Sequence, residues 1–140
     1  MDRKEFLASI GMGAVSVAVF NCIGCSKSPT SGPLIPAPTN VDFTLDLTSS
    51  ANTSLNTNGN YIYANGIIVA RTTAGEYIAV SQTCRHENTN VIYRANNHQF
   101  YCQRHGATYS ETGVSAGIET NLPLTKYNTQ LTGTNLRIFS

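Results

Sequence analysis

The chain has 140 residues, a net charge of +1 and only 12% charged residues. That length fits one domain, and the lack of a basic run or an acidic tail removes the electrostatic footprint of a nucleic-acid binder. With four cysteines and three histidines in the chain, each thiol can be followed to its use.

Residues 1–24 read as an export signal. A short charged opening, Met1 to Glu5, precedes an apolar stretch from Leu7 to Phe20 rich in alanine, glycine and valine, which is the layout of a secretory signal. Arg3-Lys4-Glu5-Phe6-Leu7 resembles a twin-arginine export motif with lysine in the second arginine position. Cys22-Ile23-Gly24-Cys25 resembles a bacterial lipobox, with Cys22 where leucine is usual, and this makes Cys25 the lipidation candidate and the mature N-terminus. The alternative is an uncleaved anchor from Phe6 to Ile23, but that stretch, interrupted by glycines and Asn21, is barely long enough to cross a bilayer. Residues 25–40 hold four of the five prolines, Pro29, Pro33, Pro36 and Pro38, and read as a linker. Extended at ~3.1 Å per residue, such a segment reaches ~45 Å from a lipid anchor.

Residues 41–140 are expected to form the folded domain, and they read as strand almost throughout. Val41 to Leu47 alternates apolar and polar side chains, as a half-buried strand does. Asn58-Gly59-Asn60 and Asn65-Gly66 are turn signals, the second placed between Tyr61-Ile62-Tyr63 and Ile67-Ile68-Val69-Ala70 as in a hairpin. After Ala74-Gly75, the run Tyr77-Ile78-Ala79-Val80 leads into Cys84-Arg85-His86. Val91 to Arg94 and His98 to Tyr101 flank Asn96-Asn97 as a second hairpin, which delivers Cys102-Gln103-Arg104-His105. Lys126 to Leu131 and Asn135 to Phe139 follow around Thr132-Gly133. Short strands at regular intervals, frequent turn residues and no convincing helix after the signal predict an all-β barrel or sandwich of antiparallel sheets.

The chemistry lies in the two Cys/His runs. C-x-H, fifteen intervening residues and C-x-x-H place one thiol and one imidazole in each of two short loops, and the excursion between them is hairpin-sized. Gly106, directly after His105, tolerates backbone conformations closed to other residues. The same four side chains could hold zinc, but zinc modules usually pair cysteine with cysteine and histidine with histidine, whereas each half here mixes the two. His98, in the polar turn Asn96-Asn97-His98-Gln99, reads as a solvated loop residue.

The sequence Cys102-x-x-His105-Gly106-Ala107-x-Tyr109, followed by Thr112-Gly113, resembles the second cluster loop of Rieske [2Fe-2S] ferredoxins and Rieske domains generally. The resemblance runs from about Tyr77 to Ser140. It implies a Rieske fold with the cluster-binding loops at one tip and one [2Fe-2S] cluster per subunit, held by Cys84 and Cys102 on one iron and His86 and His105 on the other. It also implies a one-electron carrier. High-potential relatives carry a disulfide between the loops at the positions of Thr89 and Arg104, and a serine hydroxyl at the position of Ala107. Tyr109 matches the tyrosine that donates to a ligand cysteine. With one hydroxyl and the disulfide gone, the expected potential lies below the quinol-oxidising range, while Arg85 and Arg104 beside the ligands are expected to offset part of the drop.

These readings combine into an exported electron carrier of the bacterial cell envelope, membrane-anchored through a lipid at Cys25 and served by a redox partner protein. Residues 41–140 leave no length for the mononuclear-iron catalytic domain of ring-hydroxylating oxygenases, so electron transfer or a subunit role in an oxidoreductase is expected. A quinol-linked accessory subunit of a membrane oxidoreductase and a zinc-stabilised surface module are the alternatives.

Overall fold

The computed structural model describes residues 34–140, so the expected signal, Cys25 and residues 26–33 of the linker lie outside the described residues. The domain is all-β, as the turn and alternation pattern predicts. Nine strands run β1 (Asp42–Asp46), β2 (Tyr61–Ala64), β3 (Ile67–Arg71), β4 (Tyr77–Ser81), β5 (Ile92–Arg94), β6 (Gln99–Tyr101), β7 (Thr108–Ser110), β8 (Lys126–Thr132) and β9 (Asn135–Phe139). A six-stranded sheet has the order β1-β9-β8-β4-β3-β2, and a three-stranded sheet the order β5-β6-β7. Every pairing is antiparallel.

The first hairpin is set by its turn. Asn65 and Gly66 both have positive φ, +51° and +80°, which matches the right-handed twist of the flanking strands and fixes the pairs Ala64↔Ile67 and Tyr63↔Ile68. Strand β4 joins β8 through only two pairs, Ala79↔Tyr127 and Val80↔Lys126, before β8 continues along β9. The sheet therefore curls into a half-barrel and encloses apolar side chains on both faces of β3. Ile68, Ala70 and Val80 pack with Val91, Tyr93, Phe100, Cys102, Ala107 and Tyr109 toward the small sheet. Ile67, Val69 and Ala79 pack with Leu55, Tyr127, Leu136 and Ile138 inside the curl. Two-sided burial is why β3 reads as a continuous apolar run instead of alternating.

Residues 34–40 lie along this scaffold. The Ile35 N–H donates to the Asn88 side-chain oxygen at 2.8 Å, and the Tyr127 hydroxyl donates to the Pro38 carbonyl at 2.7 Å. Pro38 covers Gly66, where an added Cβ would stand 2.8 Å from the proline ring.

The second hairpin departs slightly from expectation. Ala95–Asn97 form a short 3-10 turn and His98 follows in the left-handed region at φ +52°, so the strand begins at Gln99 and not at His98. His98 is exposed, with Nδ1 3.3 Å from a Glu111 carboxylate oxygen.

Gly113 holds the turn after β7 against the segment that leads back to β8. It sits at φ +87°, and a Cβ there would stand 2.6 Å from the Leu124 carbonyl oxygen. Gly133 has φ +62° but nothing within 4 Å of such a Cβ. Both alanine variants carry the left-handed cost of ~1–2 kcal/mol, and only Gly113→Ala adds a backbone clash. Gly113→Ala is expected to lower the melting temperature by about 10 °C or more, and Gly133→Ala by clearly less, since 1 kcal/mol shifts a domain of this size by about 4–8 °C. Thermal denaturation followed by circular dichroism checks the ordering, and equal shifts would contradict the contact.

Candidate metal centre

Strand β4 ends at Ser81, and the chain turns through Cys84-Arg85-His86 before returning at Val91. The turn is closed by its own backbone. The Thr89 carbonyl accepts from the Cys84 N–H at 2.8 Å, the Glu87 carbonyl from the Thr89 N–H at 2.8 Å, and the Gln82 carbonyl from the Val91 N–H at 2.8 Å. Strand β6 delivers the second loop. Its Cys102 N–H donates to the Ala107 carbonyl at 2.8 Å and the Gly106 N–H to the Cys102 carbonyl at 2.9 Å, a tight reversal in which Gly106 takes φ +83°. The space around Gly106 is ordinary, so its handedness is what calls for glycine.

These loops bring all four predicted donors together. Cys84 and Cys102 are free thiols buried in the core, close enough that Cys84 acts on the Cys102 sulfur. Burial pushes the Cys102 thiol up from the usual cysteine range, while the backbone N–H groups of Arg104 and His105 point toward its sulfur and pull the other way. The His86 and His105 rings lie edge to face at 5.0 Å between centroids, nearer the surface than the sulfurs.

Tyr109 closes the floor of the site. It is fully buried on β7, and its hydroxyl lies 3.4 Å from the Cys84 sulfur and accepts the Arg85 backbone N–H at 3.0 Å. With its lone pair engaged by Arg85, the hydroxyl has its proton free to donate to sulfur. Burial and the Cys84 contact push the phenol well above the usual tyrosine range, so it stays protonated and remains a donor. Ala107 is fully buried in the same core.

Two acidic residues that the Cys/His pattern gives no reason to single out also reach the site. Glu87 follows His86 directly, and its carboxylate meets the Arg104 Nε at 2.7 Å and the His105 Nδ1 at 3.3 Å. The Glu87–Arg104 pair ties one loop to the other, and it places Arg104 beside a counter-charge. The potential-raising effect expected of the Arg104 cation is therefore offset by its own partner. Glu119, on the segment between β7 and β8, brings its carboxylate to 3.6 Å from the His86 Nε2. Glu87, the first, stands directly after a candidate ligand, but no motif marks it. Nothing near Glu119 in the sequence marks the second.

The hydrogen bonding of the donor atoms bears on whether they suit a [2Fe-2S] cluster. His86 Nδ1 is buried with no hydrogen-bond partner. A buried polar nitrogen left unpaired costs ~1–3 kcal/mol, and coordination to a metal would satisfy it. Two buried thiols on one side and two imidazoles nearer solvent match the mixed sulfur and nitrogen ligation of such a cluster, so the residues present fit the group.

Comparison with known proteins agrees. A family model described as Rieske [2Fe-2S] domain matches residues 43–128. Among solved structures, the plasma membrane Rieske protein PetC3 of the cyanobacterium Synechocystis PCC 6803 is 26% identical, with TM-score 0.50 over 58% of this chain and 85% of that one. The ferredoxin of carbazole 1,9a-dioxygenase from Nocardioides aromaticivorans IC177 is 20% identical, with TM-score 0.51 over 59% of this chain and 86% of that one. A chain from the complex of reduced oxygenase and oxidized ferredoxin in carbazole 1,9a-dioxygenase is 18% identical, with TM-score 0.50 over 59% and 90%. The search of curated proteins finds no match.

Proposed function

Because the chain belongs to the Rieske [2Fe-2S] domain family, whose members bind a [2Fe-2S] cluster and act as electron carriers, we propose that Cys84, His86, Cys102 and His105 are its cluster ligands and that it carries single electrons between protein partners. The observation that carries this reading is the buried, partnerless His86 Nδ1 beside two buried thiols and a second imidazole. When bound, the cluster supplies reversible one-electron transfer at low reorganisation. Cys84 and Cys102 anchor it in the apolar core, which keeps water from the sulfurs. His86 and His105, at the outer side of the loops, offer the shortest route from the site to a docked partner. Tyr109 orients a donor at the Cys84 sulfur, and the Glu87–Arg104 pair holds the loops together where high-potential relatives use a disulfide.

Reductive titration of the purified protein, followed by its visible absorption, tests the reading. Bleaching is expected to end at about one electron per chain, and the reduced protein is expected to show the low average g value of mixed nitrogen and sulfur ligation. One equivalent of zinc with no acid-labile sulfide would overturn it.

The partner proposed is a protein. One similar structure comes from a complex of an oxygenase with a ferredoxin. We also infer a location in the bacterial cell envelope, supported by the signal-like residues 1–24, by the lipobox-like Cys25, and by the description of one similar protein as a plasma membrane Rieske protein. Among the described residues no helix is long and apolar enough to cross a membrane. Cells making the full chain are expected to release it from membranes only with detergent, and Cys25→Ala to leave the precursor unprocessed or shift the domain to the soluble fraction. Retention unchanged by that substitution would favour an uncleaved anchor at Phe6 to Ile23.

A further inference from the structure

We propose that Glu119 sets the potential of this centre by holding the outer nitrogen of His86 against a fixed negative charge. The inference rests on the reading of His86 as a ligand and adds to it a residue from a different segment of the chain.

Three observations converge on it. First, the two nitrogens of His86 have separate fates. Nδ1 faces inward, buried and without a partner, while Nε2 lies 3.6 Å from the Glu119 carboxylate. A carboxylate at the outer nitrogen favours the tautomer with its proton on Nε2, which leaves the Nδ1 lone pair free to face inward.

Second, Glu119 sits at φ +64°, a left-handed conformation unusual for a residue with a side chain. Such a conformation persists only where the surroundings over-determine it.

Third, those surroundings are built. The Ala116 N–H donates to the Thr108 carbonyl on β7 at 2.9 Å, and the Leu124 N–H donates to the Gly113 carbonyl at 2.8 Å, so both ends of the segment are tied down. Inside it the Ser115 hydroxyl donates to the Thr120 carbonyl, the Gly117 N–H donates to the Ser115 hydroxyl at 3.0 Å, and the Leu122 N–H donates to the Thr120 hydroxyl at 3.1 Å. Glu119 stands between these ties. The loop presents one carboxylate to one ring atom on a backbone that glycine would occupy without strain.

Glu87, the other acid of the site, differs in that its carboxylate is shared between Arg104 and His105. Its charge is offset by the arginine. The Glu119 carboxylate faces His86, and a negative charge there disfavours the state that holds one more electron. Half-exposure of both side chains means that salt screens the effect.

The test compares midpoint potentials of the cluster-loaded full chain and two variants by spectroelectrochemical titration. Glu119→Gln keeps the size of the side chain and removes its charge. At the wild-type midpoint the reduced form of this variant is expected to exceed the oxidised form by about three- to tenfold, a rise in potential of ~30–60 mV for a one-electron couple. The rise is expected to shrink markedly between about 0.01 M and 1 M salt, as the Debye length falls from ~30 Å to ~3 Å. Glu119→Gly removes the charge and relieves the left-handed strain, so it is expected to raise the potential similarly while melting no lower than wild type.

A loop brace without electrostatic influence would move the melting temperature and leave the potential and its salt dependence alone, and that result overturns the proposal. Failure of both variants to hold a cluster that the wild type holds assigns Glu119 to assembly instead, and also overturns it. A wild type that holds no cluster overturns the proposed function and this inference with it. A loaded wild type with unshifted variants overturns the inference alone.

Discussion

Cys102→Ala and His86→Ala are each expected to take iron and acid-labile sulfide from about two of each per chain to background, with loss of the visible absorption. As proposed ligands, each would be one of only two protein donors to its iron, so a missing donor could not be made up by a neighbour without moving the loop. Two further carboxylates lie close to the imidazoles: Glu87 falls with His86 and His105 in a group whose ligand atoms lie within 4.8 Å of one another but is already paired with Arg104, and Glu119 stands at the outer His86 Nε2, 3.6 Å away. The same substitutions are expected to lower the melting temperature, because binding energy at a site absent from the unfolded chain is folding energy. Acid-stripped wild type supplies the control. Its melting temperature should fall to that of the variants, since both lack the brace between the loops. Iron and sulfide content by colorimetric assay, paired with calorimetry, checks the two halves together. Retention of the cluster by either variant would remove that residue from the ligand set.

The all-β class and the two Cys/His loops were legible in the sequence, whereas the packing around them was not. Cysteine and histidine recur in two runs whose spacing survives any detail of packing, and Asn65-Gly66 dictates a turn through its own backbone preference. Strand β3 was legible as a strand, but which side chains face which core was not, because both faces are buried and alternation disappears. The 3-10 helix Ser50–Asn56 went unread for a related reason. It buries a single apolar side chain, Leu55, so no periodicity marks it, and its serines, threonine and asparagines look like loop. Glu119 lies 33 positions from His86, and its role depends on a left-handed turn that no local residue preference announces. The sequence places Arg104 beside the ligands but not its partner, because Glu87 belongs to the other loop and only the fold brings them to 2.7 Å. Pairings set by a local motif are visible in sequence, whereas those set by two loops meeting at a tip are not.

Opposite shifts in potential are expected from two buried positions, Tyr109 and Ala107. The Tyr109 hydroxyl lies 3.4 Å from the Cys84 sulfur with its proton free to donate, and a donor at sulfur stabilises the more negative reduced state. A hydrogen bond to a charged acceptor contributes ~1.5–3 kcal/mol. Only the part that differs between oxidation states moves the potential, at ~40 mV for each 1 kcal/mol of that difference in a one-electron couple. Tyr109→Phe is therefore expected to lower the potential by several tens of millivolts. It also leaves the Arg85 N–H without its acceptor, so a stability loss of ~1 kcal/mol or more should accompany the shift. Ala107 is fully buried, and a serine there must find a partner or bear the cost of an unpaired hydroxyl. If its hydroxyl reaches a cluster sulfide, the potential rises by several tens of millivolts and stability is nearly unchanged. If it does not, stability falls by ~1–3 kcal/mol and the potential stays where it was. Measuring both quantities on both variants separates the cases. Shifts of the same sign would show that the two hydroxyls do not act on the sulfurs, and would leave Tyr109 with a packing role alone.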